Sequence, residues 1–294
     1  MATPFEDSPS AADKKFQDRY HQVLADLTET VGPPFYTRDG YILYHMDCTA
    51  FLGKLIESET KIDLSVTSPP YNLGMEYEKD HSLQDYLDWC QEWLNALGEV
   101  SAENSGFWLN LGYLEVPGVG KAVPISYLLW DKIPFYLQQE IVWHYPAGVA
   151  CKKRFSPRNE KWLFYTKHSD DYTFNLDPVR DPNVKYPNQK RNGKFRCNPL
   201  GKNPGDVWHF PKVTGGLGRR SRERSAHPAQ FPLRIIDRIV KAASNSYDTV
   251  CDPFNGSGTA GIASIANRRI FIGCDIQGKY CEIARERVEN YLES

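Results

Sequence analysis

The 294-residue sequence predicts an α/β protein: a mostly parallel sheet with helices on both faces, carrying a loop-rich, basic lobe. Three observations predict it. Short apolar runs of strand length alternate with segments of helical periodicity in both halves of the chain. Between Asp170 and Ala226 this alternation stops, and Pro, Asn, Gly, Lys and Arg dominate with isolated aromatics. After that stretch a strand, a glycine-rich loop, a helix, a strand and an acidic residue follow in close succession.

Residues 11–31 read as an amphipathic helix, with Phe16, Tyr20, Val23, Leu24 and Leu27 on one face, stopped by Gly32-Pro33-Pro34. A short strand at 41–45 and a helix at 49–56 follow. Residues 62–66 form a compact apolar strand that ends at Thr67-Ser68-Pro69-Pro70-Tyr71. Ser82 caps a helix carrying Leu83, Tyr86, Leu87, Trp89, Cys90, Trp93 and Leu94. A buried strand at 107–111, a helix at 124–130 and strands at 140–143 and 162–165 complete the first part. Beyond the basic stretch come a helix at 233–243, a strand at 249–251, a helix at 259–266, a strand at 270–273 and a helix at 280–292. Trp208, Phe210 and Tyr186 read as packing residues of the lobe.

Composition excludes several classes. No run approaches about 18 apolar residues, so no membrane span is expected. Residues 1–10 are polar, with Pro4 and Pro9, and lack the apolar core of a secretory signal. The seven cysteines are scattered with no CxxC pair, which predicts reduced thiols in a cytoplasmic protein and no metal site. The net charge of -2 hides an asymmetry. Residues 151–224 carry 18 Lys and Arg against 7 Asp and Glu, and the rest of the chain 17 against 30. A polyanion-facing segment on an acidic body has this signature, although a merely solvated lobe would share it.

Asp252-Pro253-Phe254-Asn255-Gly256-Ser257-Gly258-Thr259 leaves a strand and opens a helix, and Gly256, Gly258 and Gly261 satisfy G-x-G-x-x-G. Asp275 ends the next strand, where an acid accepts from ribose hydroxyls. A tight turn without a ligand would use the same glycines. If a nucleotide-like ligand binds, the charges disfavour a dinucleotide: Asp252 would repel phosphates, and only residues 276–294 remain to extend the sheet. The same carboxylate suits a cationic amino acid group, as in S-adenosylmethionine.

Ser68-Pro69-Pro70-Tyr71 follows a buried strand. Two prolines make a rigid exit without N–H donors. Ser68 and the Pro69 carbonyl can accept from an exocyclic amine, and Tyr71 offers a flat face for a planar base. Such acceptors direct the amine's lone pair, otherwise delocalised into the ring, at an electrophilic methyl group. A stiff loop with no chemical role is the alternative.

Together, Thr67-Ser68-Pro69-Pro70-Tyr71-Asn72-Leu73-Gly74, His227-Pro228-Ala229-Gln230-Phe231-Pro232 and the 252–259 loop resemble the amino-methylating DNA methyltransferases, and their order resembles the permuted β group. The resemblance spans about residues 41–291 and implies a Rossmann-like methyltransferase sheet with S-adenosyl-L-methionine as cofactor. It implies Ser68, Pro69, Pro70 and Tyr71 as the catalytic loop. Asp47, His227, Phe231, Asp252, Pro253, Phe254, Asn255, Gly256, Ser257, Gly258, Thr259 and Asp275 are expected around the cofactor, with residues 227–231 beginning the helix that walls the pocket. The chain then divides into an N-terminal helical extension (1–34), a catalytic half (35–167), a target-recognition region (168–226) and a cofactor-binding half (227–294).

Ser at the first loop position is similar to the cytosine-N4 enzymes, with adenine-N6, or an RNA base, as the alternative. Cytosine-C5 chemistry is excluded, because no cysteine follows a proline. The expected partner is double-stranded DNA, whose target base must be flipped. Lys152, Lys153, Arg154, Lys190, Arg191, Arg219, Arg220 and Arg222 are candidate phosphate contacts, and glycines at 215, 216 and 218 would let the last group close on DNA. A companion restriction endonuclease is implied, and the chain is expected as a monomer or homodimer. Two other classes remain open: a nicotinamide-dependent oxidoreductase using the glycine loop, and a DNA-binding module without activity.

Overall fold

The computed structural model describes residues 10–73, 82–146, 148, 150–213, 221 and 223–294. Helix α1 (Ala11–Thr30) starts on a reciprocal cap, in which Ser10 accepts from the Asp13 N–H and the Asp13 carboxylate accepts in return. Strands β1 (Tyr36–Arg38) and β2 (Tyr41–His45) form a hairpin through Asp39 and Gly40, both at positive φ. That Asp-Gly pair is the turn its two-residue loop requires.

Then follow α2 (Cys48–Ile56), β3 (Ile62–Thr67), α3 (Leu83–Val100) and β4 (Ser101–Leu111). The hairpin of β5 (Tyr113–Val116) and β6 (Gly120–Pro124) leads into α4 (Ile125–Leu128). The helix expected at 124–130 is therefore a single turn, because the hairpin uses Pro124 as its last strand residue. Strands β7 (Tyr136–His144) and β8 (Asn159–Thr166) follow. The basic stretch contains a minimal hairpin, β9 (Lys190–Arg191) with β10 (Lys194–Phe195), and β11 (Val207–His209). The chain ends with α5 (Leu233–Ala243), β12 (Thr249–Asp252), α6 (Thr259–Ala266), β13 (Ile270–Asp275) and α7 (Gly278–Leu292).

Nine strands make one sheet in the order β1-β2-β13-β12-β3-β4-β8-β7-β11. Every pairing from β2 to β4 is parallel, β8 runs antiparallel between β4 and β7, and β11 lies parallel to β7 at the edge. This is the expected mostly parallel sheet covered by helices. One apolar core lies between the sheet and the helices α1 to α3, with Phe51, Trp93, Leu97 and Phe107 fully buried. The other lies under α5 to α7, with Leu64, Trp162, Ile236 and Phe271.

Strand β11 falls inside the stretch that reads as irregular. It is three residues long and buries only Trp208, too little for a periodic signal. Trp208 stacks on Trp108, with centroids 5.8 Å apart, and Arg238 covers Trp208 and Phe210, so these two are packing residues. Tyr186 is not: it is exposed, with the Lys185 ammonium over its ring.

Candidate active site

The topology locates the site. From β12 the chain moves through α6 to β13 on one side, and from β3 through α3 to β4 on the other. β12 and β3 are neighbours, with Val250 opposite Leu64, so the winding direction reverses between them. In such sheets the carboxyl ends of the strands open into a crevice at the reversal. A cavity of about 630 Å³ lies there. The Ser68–Tyr71 loop leaves β3 into it, and the glycine loop leaves β12 into it.

The two loops are bonded together. Thr67, the last residue of β3, donates its hydroxyl to Asp252 Oδ1 at 2.5 Å, and the Phe254 N–H donates to the same oxygen at 3.0 Å. Asp252 is only 4% exposed. Burial pushes its carboxyl up to about 7, against the two hydrogen bonds that pull it down. Asp275, at the end of β13, accepts from the Gly256 N–H and the Gln277 N–H, both at 2.8 Å, and burial raises its pKa as well. Asp47 caps α2 through the Thr49 and Ala50 N–H groups, and it also faces the cavity.

The glycines have separate jobs. Gly256 sits at φ +50°, and a Cβ there would come within 3.0 Å of His227 Nε2. Gly258 is at φ +76° with its back to Tyr41 and Ala284. A Cβ on Gly261 would lie 2.0 Å from the Tyr41 ring, so this glycine packs helix against strand. Asn255 accepts from the Tyr41 hydroxyl at 3.0 Å, and Arg287 donates to the Ser257 carbonyl and, at 3.1 Å, to the Thr259 hydroxyl. His227 is pushed down to about 4 by burial and is therefore neutral at neutral pH. Its Nδ1 accepts from the Ala229 N–H at 3.2 Å, and its ring meets Tyr280 edge-on at 4.3 Å. Phe254 is edge-on to Trp89 and Trp93, and Phe231 packs on Trp162 at 5.1 Å.

At the other end, Tyr71 Oη donates to Asn110 Oδ1 at 2.8 Å and lies 2.9 Å from Ser68 Oγ. The Asn110 amide is oriented by its Nδ2–H, which donates to the Lys161 carbonyl at 2.9 Å. With the Tyr71 proton on Asn110, Ser68 must donate to Tyr71. That leaves the lone pairs of Ser68 as acceptors toward the cavity. The Tyr86 hydroxyl donates to the Pro70 carbonyl at 2.9 Å and braces the loop. Gly112 makes room for Tyr71, whose ring a Cβ there would meet at 2.8 Å.

Ser68, Pro69, Pro70, Tyr71, Asp47, His227, Phe231, Asp252, Pro253, Phe254, Asn255, Gly256, Ser257, Thr259 and Asp275 all line the one cavity. Gly258 does not; it shapes the loop from behind. Residues 227–231 do not begin the wall helix. They run irregularly, and α5 starts after Pro232, because a residue preceding proline is disfavoured in helical conformation.

Several lining residues gave no sequence signal. Glu160 and Lys212 form an ion pair at 2.7 Å, with Lys212 4.0 Å over the Tyr145 ring, and both face the cavity. They are brought together only by the sheet. Tyr280 and Trp89 arrive from α7 and α3, where helical periodicity marks no site. Asn110 carries a local signal: a polar residue in an apolar strand, at its carboxyl end.

Lys152, Lys153 and Arg154 are exposed on the β7–β8 connection, which begins and ends at the cavity edge of the sheet. Lys190 and Arg191 are exposed on the small hairpin, turned by Asn192-Gly193, and do not line the cavity. Arg219, Arg220, Arg222 and the glycines before them lie outside the described residues. Among the described residues, no group of three or more His, Cys, Asp and Glu could hold a metal ion, and no helix is long and apolar enough to cross a membrane.

Comparison with known proteins agrees with this geometry. A family model described as DNA methylase matches residues 62–286. The Type II methyltransferase M.ScaI of Streptomyces caespitosus is 52% identical over 271 residues, which cover 92% of this chain and 88% of that protein. The structure of PvuII DNA methyltransferase (cytosine-N4-specific) superposes with a TM-score of 0.66 at 19% identity, over 89% of this chain and 93% of its own. That of the M1.HpyAVI-SAM complex superposes at 0.57 and 22% identity, over 84% and 98%. At these identities the two structures speak for the fold.

Proposed function

This chain belongs to the DNA methylase family, an S-adenosyl-L-methionine-dependent DNA methyltransferase, and from that premise we propose that it methylates the exocyclic N4 amine of a flipped cytosine. The observation that carries the proposal is the shared cavity. The Ser68–Tyr71 loop and the glycine loop open into one space, held together by the Thr67–Asp252 hydrogen bond.

The cavity's glycine end fits the cofactor. About 630 Å³ suits a nucleoside with an amino acid tail. Buried Asp252 suits an ammonium, Asp275 suits ribose hydroxyls, and neutral His227 with Phe254, Phe231 and Asp47 completes the walls. When bound, the cofactor would supply an electrophilic methyl group, giving up its carbon–sulfur bond and leaving as the neutral thioether. The protein's part is positional. Ser68 Oγ and the Pro69 carbonyl accept from the amine's two N–H bonds, which turns the nitrogen lone pair out of conjugation with the ring. As the nitrogen–carbon bond forms, positive charge grows on those N–H groups, and the two acceptors stabilise it. One of these protons then leaves to water, which restores a neutral amine. Tyr71, fixed by Asn110 and Ser68, holds the base plane. The order of catalytic loop, basic segment and cofactor loop fits the permuted β group.

Cytosine-N4 is favoured by Ser68, a neutral acceptor at the first loop position. A modification role beside a Type II endonuclease is supported by the similarity to M.ScaI. Nucleoside mass spectrometry of DNA from a host expressing the chain tests the base. N4-methylcytosine is expected, and N6-methyladenine in its absence overturns the assignment. Direct sequencing of modified bases in the same DNA yields the recognition site.

A further inference from the structure

The β7–β8 connection carries Phe155, which is 100% exposed, more than any other large apolar side chain among the described residues. The base of this connection is part of the cavity wall. Trp143 and Glu160, cross-strand partners in β7 and β8, both line the cavity. One step outward, the Tyr145 N–H donates to the Arg158 carbonyl at 3.0 Å, which continues the pairing past the rim. The tip is closed separately: the Cys151 N–H donates to Ser156 Oγ at 3.0 Å, so residues 152–155 project from a pinned neck. Those four residues are Lys152, Lys153, Arg154 and Phe155, and all four are exposed.

A phenyl ring in water is a surface that gains from being covered. Three cations immediately before it select an anionic partner over a neutral apolar one. The connection that carries it leaves from the cavity wall at Trp143 and returns to it at Glu160, which points to one anion, the DNA whose base the cavity would receive. Extruding a base from a duplex leaves a gap between two base pairs at the mouth of the pocket that receives it, and the gap has flat aromatic walls. Apolar side chains fill such gaps by stacking, and flanking cations hold the adjacent phosphates.

We propose that Phe155 enters the DNA stack at the step vacated by the target base, with Lys152, Lys153 and Arg154 on the neighbouring phosphates. This rests on the function proposed above. The energetic role follows directly: the ring replaces stacking lost on extrusion, so it promotes flipping and takes no part in methyl transfer itself.

The test uses the full chain, cofactor and a duplex containing its recognition site, in single-turnover methylation. Two duplexes are compared: one with the target base paired normally, the other with the target opposite an abasic position, where little holds it in the helix. Phe155→Ala is expected to slow methylation of the paired duplex by about tenfold or more and of the abasic duplex by no more than about twofold. Phe155→Leu, which keeps an apolar wedge, should retain most of the paired-duplex rate. Cofactor affinity and the salt dependence of DNA binding should match wild type in both. Equal losses on the two duplexes would make Phe155 a structural residue and overturn the proposal, as would no loss on either, which leaves the ring to a protein or lipid partner. A wild-type protein that transfers no methyl group to either duplex would sink the function itself instead.

Discussion

The two ends of the cavity are built on opposite electrostatic plans. The glycine end presents Asp47, Asp252 and Asp275, each held by backbone N–H or hydroxyl donors before any ligand arrives. The Ser68–Tyr71 end presents neutral acceptors in a chain, Ser68 to Tyr71 to Asn110, and exposed cations stand on the connection beyond it. The contrast teaches what each end binds. A buried carboxylate keeps its charge at least cost beside a cation, so Asp252, 4% exposed, is the member of this set suited to the proposed ammonium, while the donors already on the others suit neutral hydroxyls. Neutral acceptors orient an amine without attracting ions, so on the proposed function attraction of DNA falls to the surface cations.

The largest effect should come from disrupting the neutral chain. Tyr71→Ala is expected to lower single-turnover methyl transfer by about 10²–10³-fold. Cofactor affinity, measured by calorimetry, should stay within about twofold, since the carboxylates are untouched. A parallel loss of cofactor affinity would break the separation of the two ends. Next, Asp252→Asn keeps the shape and removes the charge. It should weaken cofactor binding by about 10–100-fold, the range of a lost charge-assisted hydrogen bond. Unchanged affinity would move the ammonium elsewhere.

The same carboxyl predicts a pH signature. Its pKa is about 7 in the fold against an ordinary value of 3.8. Between these values the folded chain binds a proton that the unfolded chain has lost, so this group's contribution to stability falls as pH rises from about 4 to 7. In thermal melts of the unliganded protein, Asp252→Asn should make the stability lost between about pH 4 and 7 smaller than in wild type, with the share of Asp63, which burial raises to about 6, remaining. Cofactor binding runs the other way: affinity should drop by up to about tenfold per unit as pH falls below 7. The smallest effect belongs to the outer surface. Lys190→Ala with Arg191→Ala should reduce the slope of log K against log salt for DNA by about 1–2 and weaken all sequences alike. A change in sequence preference would place this hairpin on base edges rather than phosphates.

Much of this was legible in the chain. Helices α5 and α6 and strand β2 fall where periodicity puts them, because each buries a continuous apolar face. The glycine loop announces itself because a left-handed backbone at Gly256 and Gly258 requires the residue type that the sequence displays. The hairpin of β1 and β2 has only its Asp-Gly turn as a local signal, because β1 is three residues long and buries none of them. Strand β11 gave no such signal, since three residues with one buried side chain have no period.

The residue order sets the chemistry available: a proline-stiffened loop after one apolar strand, a carboxylate and glycines after another, and a concentration of cations between them. These are local properties, encoded within a few positions of each other. That Asp252 meets Thr67, that Asn110 locks Tyr71, and that Glu160 pairs with Lys212 are matters of strand order and register. Side chains 39 to 185 positions apart become neighbours only when the sheet winds outward from the β12–β3 pair, which is where the chain's pattern falls silent and packing takes over.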